Sequence, residues 1–283
     1  MILFKRVSEL RNHLDKQRKS GKKTGFAPTM GALHDGHISL LNASKKENDV
    51  SVVSIFVNPT QFNDPKDFAK YPVTIEKDIS LLEAAGCDIL FLPSVEEIYP
   101  AGQMLKKKYE LGYLEDLLEG KFRPGHFQGV CQVVHRLLEI VLPDNLYMGQ
   151  KDYQQCMVVK KLLELTGLEK TIQLKIAPTL REQSGLAMSS RNMRLSESER
   201  TGAVAIFSTL DLIRRTIAPG NTEELKQRAV NDLIKQGFRV DYVEIANADT
   251  LEPVTTWDGN TKLVALAAAF LGEVRLIDNL LLN

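Results

Sequence analysis

The chain has 283 residues, with 36 basic and 36 acidic side chains that cancel, 43% hydrophobic and 25% charged residues. That length buries one or two cores, and the charge balance excludes the basic excess that wholesale nucleic-acid binding requires. The longest apolar stretch, Leu263 to Leu271, is too short for a membrane-spanning helix, and Lys5 and Arg6 interrupt any secretion signal at the start.

Up to about residue 175 the chain alternates strand-like and helix-like segments, the pattern of a parallel sheet with crossover helices. Strands are expected at Thr24–Ala27, Val50–Val57, Asp88–Leu92, Asn145–Met148 and Ile172–Ala177. These are unbroken apolar or β-branched runs, suited to a sheet covered on both faces. Thr74 is expected to cap a helix over Ile75–Ala85 that stops at Gly86. Val130, Val133, Val134, Leu137, Leu138 and Val141 repeat at helical spacing ahead of Pro143, and Asp152 opens a helix running to Gly167. After Pro178 the chain is polar through Asn192. Helices then read at Ser196–Arg215 and Thr222–Gln236, and strands at Val240–Ile245, Leu263–Leu266 and Val274–Ile277. The expected fold class is α/β, a parallel-sheet domain over 1–179 followed by a smaller α+β domain over 180–283. Cys87, Cys131 and Cys156 are odd in number and apolar in context, which reads as buried thiols of a cytosolic protein. The basic runs Lys16–Lys23 and Lys106–Lys108 read as solvated faces.

In an open parallel sheet, ligands bind beyond the carboxyl ends of the strands, and the polar loops of this chain follow those ends. Pro28-Thr29-Met30-Gly31-Ala32-Leu33-His34-Asp35-Gly36-His37 joins the first predicted strand to a helix. Gly31 and Gly36 clear space beside the backbone, and the helix start offers unpaired N–H groups to an anion. His34 and His37, three residues apart, can serve the same anion. The glycine spacing matches a P-loop, but His37-Ile38 stand where that motif needs Lys and Ser or Thr. No nearby Cys or third His completes a zinc set. The loop therefore reads as a phosphate site with imidazole donors, against the alternative of a plain turn with two surface histidines.

Gln61 lies among Pro59, Pro65 and Pro72. Its amide can donate to one oxygen and accept from another, as a hydroxy acid requires, or can simply shape a turn. Arg123 and His126, beside Pro124 and Gly125, read either as a basic lid or as the turn that starts a helix. Lys151 would bring a compact positive charge to a phosphate. Asp152, with Gln155 three residues on, fits a helix cap whose outward edge could also touch ligand. Met188-Ser189-Ser190-Arg191-Asn192 is rich in donors suited to a polyphosphate, and from the domain boundary it could close over a nucleotide; a polar linker is the alternative. His13 and His135 read as structural.

Taken together, Pro28–His37, Phe56–Phe62, Arg123–Val130, Gly149–Gln155 and Gly185–Asn192 resemble the pantothenate synthetase family in order and spacing. Pro28–His37 resembles its HIGH motif and Met188–Arg191 its counterpart of the KMSKS loop. The resemblance implies an ATP-dependent ligase of the nucleotidyltransferase superfamily, with a Rossmann-like first domain and usually a homodimeric assembly. Pantoate would attack the α-phosphorus of ATP to give pantoyl adenylate, and β-alanine would then displace AMP. The implied ATP contacts are Met30, Gly31, His34, His37, Gly149, Lys151, Asp152, Leu180, Met188, Ser189, Ser190 and Arg191. His37, His34 and Lys151 would be catalytic. Gln61 and Gln155 would hold pantoate, Gln61 would also help place β-alanine, and Arg123 would serve as a lid residue. Mg²⁺ would arrive on the ATP phosphates, with no all-protein metal cage, no nucleic-acid partner and no membrane. Gln150 stands where the family commonly has Glu, which removes one negative charge beside Lys151. Two other readings are an adenylating enzyme for another acid and a nucleotide-binding module without catalysis.

Overall fold

The first sheet is built from β1 (Ile2–Phe4), β2 (Thr24–Thr29), β3 (Val50–Ile55), β4 (Ile89–Phe91), β5 (Asn145–Gly149) and β6 (Gln173–Ala177). All its pairings are parallel, in the order β1-β4-β3-β2-β5-β6. β2 and β3 are buried along nearly every residue, as expected of central strands roofed by helices on both faces. The computed structural model describes residues 1–62, 68–100 and 107–283; Pro65 and Lys106, named above, lie outside them. Two compact units are present. One comprises 1–149 with 158–178 and the other 150–157 with 179–283, so residues 150–157 group with the second unit.

The crossover helices of the first unit are α1 (Val7–Lys19), α2 (Asp35–Glu47), α3 (Ile75–Ala84) and α4 (His126–Val141), and α5 (Tyr153–Thr166) continues into it from the second unit. Leu40, Leu41 and Leu82 from α2 and α3 pack on Ala27, Val53, Ile55, Leu90 and Tyr147 of the sheet. α4 buries a wide apolar face and ends at Leu142, whose left-handed backbone precedes Pro143. Three local expectations are corrected. Strand β1 was not anticipated, because three largely exposed residues at a sheet edge carry no periodic signal. Thr74 occupies the N-cap position of α3 but makes no side-chain cap bond; its hydroxyl donates instead to Asp78. The helix expected to open at Asp152 starts at Tyr153, and Asp152 itself ends a 3₁₀ turn over Gln150–Asp152.

The strand order reverses direction at β2. β3 and β4 run outward on one side, and β5 and β6 on the other. The carboxyl ends of β2 and β5, at Thr29 and Gly149, therefore flank the topological switch point, where such sheets bind ligands.

In the second unit β8 (Arg239–Asn247), β10 (Leu263–Leu271) and β11 (Val274–Leu281) form an antiparallel sheet ordered β11-β10-β8. The two-residue strands β7 (Gly220–Asn221) and β9 (Thr256–Trp257) pair separately. Helices α6 (Glu197–Thr216) and α7 (Glu223–Lys235) pack on this unit's own core through Ile206, Leu210, Ala229 and Leu233. Ser196 and Glu199 form a reciprocal capping box at the start of α6. The apolar run 263–271 is the central strand β10, and no helix among the described residues is long and apolar enough to cross a membrane.

Candidate active site

At the switch point, β2 feeds a loop held in an uncommon conformation. Gly31 and Ala32 both have positive φ, 82° and 47°. A side chain at Gly31 would start 3.0 Å from the Ile55 Cγ2 and 3.1 Å from the Asp78 Oδ2, so space as well as φ favours glycine there. Ala32 has no such freedom and is held from outside. The carboxylate of Asp78, 1% exposed on α3, accepts the Ala32 N–H at 2.9 Å and the Leu33 N–H at 2.8 Å. The Thr74 hydroxyl donates to the same group at 3.0 Å. Thr29 adds a second support, with its Oγ1 accepting the Gly31 N–H and donating to the Ser54 carbonyl. Asp78 was not singled out in the sequence. Its spacing from Ile79 and Leu82 places it on the inward face of the helix, and a carboxylate on such a face needs buried donors.

His34 and His37 end this loop and start α2. The His34 Nδ1 accepts the Gly36 N–H at 3.2 Å, and the His37 Nδ1 accepts the His34 N–H at 3.3 Å, a capping box made of two imidazoles. A neutral ring that accepts at Nδ1 carries its proton on Nε2, so this geometry sets the tautomer of both. The rings lie 4.1 Å apart between centroids, both half-buried. The expectation that both serve one anion thus gains a constraint: one nitrogen of each ring is spent on the helix start, and donation to a ligand falls to Nε2.

The turn after β3 is clamped onto α4. Asn58, fully buried, donates to the Gly129 carbonyl at 3.2 Å, and its Oδ1 accepts from the Tyr99 hydroxyl and from Thr60. Burial pushes the Tyr99 phenol pKa up, which keeps it a donor. Gly129 lets the two chains touch, since a Cβ there would fall 2.4 Å from the Thr60 carbonyl oxygen. Gln61 is 9% exposed. Its Nε2 donates to the Met30 Sδ at 2.7 Å and its Oε1 accepts from Asn58 at 3.4 Å, which brings Met30 and Gln61 together. Arg123 donates to the His126 Nε2 at 3.0 Å, so His126 donates through Nδ1 to the Gln61 carbonyl at 2.8 Å. Glu119 lies 3.7 Å from the Arg123 guanidinium. Arg123 is thus part of the support under Gln61 in this conformation. Asn58 and His126 were also missed as supports, because their partners are backbone groups distant in sequence.

In the second unit, Lys151 lies 3.7 Å from Asp152, with side chains 17% and 50% exposed, and Gln155 is half-buried on the first turns of α5. Residues 180–188 form a narrow antiparallel loop rather than an open linker. The Met188 N–H donates to the Leu180 carbonyl at 3.0 Å, and Arg181 bridges Ala187. Leu180 and Met188 are therefore neighbours at the loop's base. Ser189 caps the following 3₁₀ turn (Ser190–Arg194) by accepting the Arg191 N–H at 3.3 Å, which sets Ser190 and Arg191 at its start. In the first unit, Gly149 ends β5, and a Cβ there would meet no heavy atom within 4 Å.

Residues 2–281 match the family model described as pantoate-beta-alanine ligase. A pantothenate synthetase of Cytophaga hutchinsonii is 46% identical, over 100% of this chain and 99% of its own length. One from Bacteroides thetaiotaomicron is 44% identical over 99% and 98%. A pantothenate synthetase structure from Thermus thermophilus superposes with a TM-score of 0.89 at 40% identity, covering 99% of both chains. The pantoate-beta-alanine ligase of Francisella tularensis, solved with beta-gamma ATP and beta-alanine, gives a TM-score of 0.82 at 38% identity, over 99% of this chain and 97% of that one. On a match that runs through both units and every loop described above, the chain belongs to the pantoate–β-alanine ligase family.

Proposed function

We infer that this chain is an ATP-dependent ligase that condenses pantoate with β-alanine to pantothenate, releasing AMP and pyrophosphate. The observation that carries the nucleotide half of this reading is the β2–α2 junction. A loop locked by a buried carboxylate presents a helix start and two imidazoles of fixed tautomer at the switch point of a parallel sheet. The identity of the acid and amine follows from family membership.

In the first step a pantoate carboxylate oxygen bonds to the α-phosphorus and the bond to the bridging oxygen breaks, so pyrophosphate leaves. In the second, the β-alanine nitrogen bonds to the acyl carbon, loses a proton and expels AMP. Neither step needs a covalent enzyme intermediate, so the residues act by orientation and by neutralising charge at the phosphates. His34 and His37 donate through Nε2 to phosphate oxygens, and Lys151, Ser189, Ser190 and Arg191 add charge and hydroxyl donors there. Met30, Gly31, Gly149 and Met188 meet the nucleotide, Asp152 meets the ribose, and Leu180 meets the adenine end. Gln61 and Gln155 hold pantoate, and Gln61 also helps place β-alanine. The Gln61 amide donates to a thioether, a weak acceptor that an incoming ligand oxygen replaces at little cost. Closure of the 188–191 loop over the nucleotide, a homodimeric assembly and a cytoplasmic location belong to the same proposal.

No cluster of three or more His, Cys, Asp or Glu suited to a metal occurs among the described residues. A cation arriving with ATP would be held by phosphate oxygens and water. Purified protein given ATP, Mg²⁺ and pantoate should release pyrophosphate in a burst near the enzyme concentration, with steady turnover only when β-alanine is added. No pyrophosphate under either condition, with ATP still bound, overturns the assignment of pantoate.

A further inference from the structure

We propose that Asn279, with Asp278 beside it, is the positioning residue for the nucleotide-binding segments of the second unit. The inference rests on the reading of Lys151, Asp152 and Met188–Arg191 as ATP contacts, and it adds the group that sets their geometry.

Asp278 and Asn279 lie on β11, 5% and 2% exposed. The Asn279 Nδ2 donates to the Gln150 carbonyl at 2.9 Å and to the Lys151 carbonyl at 2.8 Å. Two carbonyl oxygens can be met only by the NH₂ side of an amide, so the orientation of the group is fixed and both its protons are used. The remaining Oδ1 accepts from the Gln150 Nε2 at 3.3 Å. One side chain thus makes three bonds with two consecutive residues, Gln150 and Lys151, and Lys151 immediately precedes Asp152.

The same dipeptide holds the second segment. The Asp278 carboxylate grips Arg181 in a fork, at 2.6 Å to Nη1 and 3.0 Å to Nη2, and accepts the Asn279 N–H at 2.8 Å. Arg181 donates onward to the Asn279 and Gly185 carbonyls, and its guanidinium lies 4.1 Å over the Phe207 ring. Arg181 starts the narrow loop whose far strand runs into Met188–Arg191. Two segments, around residues 150–151 and at Arg181, are therefore referenced to two neighbouring buried residues of one strand.

The test uses the full-length protein. Asn279→Ala, checked for native circular dichroism, should raise the KM and Kd for ATP about tenfold, because the Lys151 backbone loses its reference, while saturated turnover changes less. Lys151→Ala is measured in parallel. On that background Asn279→Ala should add less than about twofold, since its effect passes through Lys151. An Asn279→Ala protein of lowered Tm whose ATP affinity is unchanged has lost only structure, and that result overturns the proposal, as does full additivity with Lys151→Ala. If Lys151→Ala itself leaves ATP binding unchanged, the nucleotide reading of the segment fails and the positioning role fails with it. Should Asn279→Ala not fold, Gln150→Ala removes only the donor to Oδ1 and is expected to raise the ATP KM about threefold; no change refutes the idea.

Discussion

Replacing Asp78 by Asn keeps the shape of the side chain and exchanges one acceptor for a donor. In the native loop one carboxylate oxygen takes the Ala32 N–H at 2.9 Å, and the other takes the Leu33 N–H at 2.8 Å and the Thr74 hydroxyl at 3.0 Å. An amide whose oxygen stays on Leu33 and Thr74 turns its NH₂ against the Ala32 N–H, donor facing donor. One charge-assisted bond is lost, a buried N–H is left unpaired, and the surviving bonds weaken, for a total on the order of 3 kcal/mol. For a chain of 283 residues that is a fall in Tm of roughly 5 °C. Ala32, at φ 47°, relaxes when released and carries His34 with it. On the proposed role of His34 at the ATP phosphates, a displacement near 1 Å costs on the order of 10²-fold in rate. Thermal unfolding and pyrophosphate release with saturating pantoate measure the two effects. An Asp78→Asn protein with Tm within about 1 °C and kcat/KM for ATP within about twofold of the parent would refute the claim that this carboxylate sets the loop.

His37→Gln should separate cap from chemistry: Gln is a favoured capping-box residue at that position, so Tm holds while kcat falls about 10²–10³-fold. A large loss of Tm, or an active variant, contradicts this division. Gly129→Ala forces a Cβ into the Thr60–Gln61 backbone and should raise the KM for pantoate with ATP binding intact, read by steady-state kinetics and calorimetry. Burial lowers the pKa of His135 from its ordinary 6.5, with Lys107 acting in the same direction and Glu139 opposing. Its Nδ1 meets the buried Tyr109 hydroxyl at 2.7 Å. A depressed folded pKa gives stability that is present above the unfolded value and lost as pH falls through it toward the folded one. The urea midpoint should therefore fall as the pH drops below the ordinary imidazole value of 6.5, and His135→Gln should flatten that slope. Burial pushes the Cys87 thiol up to about 11, Cys131 to about 12 and Cys156 further still. A disulfide reagent should accordingly find no reactive thiol in the native protein and three after denaturation.

Local rules located most of the elements because they act over a few residues. Val50–Ile55 and Asn145–Gly149 are runs that only a doubly covered strand tolerates, and the repeat from Val130 to Val141 fits a single helical face. The same rules failed at β1, a three-residue edge whose pairing with β4 supplies its order, and at Thr74, where a tertiary acceptor outcompeted the local cap. The run 263–271 could be limited by length to something other than a membrane helix, but its place as the central strand depends on β8 and β11 pairing on either side.

For the candidate site, the sequence by itself marked the candidate residues and the loops that hold them. Glycine, imidazole, hydroxyl and guanidinium groups at short spacings are the signature expected of an anion site through properties of the residues alone, and the loops' order tied them to one family. Only the tertiary structure decided what holds those loops. Asp78 reaches Ala32 and Leu33 from another helix, His126 takes the Gln61 carbonyl, and Asn279 takes two carbonyls 128 and 129 positions earlier. Each of these partners is a main-chain N–H or C=O, which every residue but proline possesses in full. Such a bond leaves no mark on the identity of the residue it restrains, and it becomes visible only when the fold brings the two ends together.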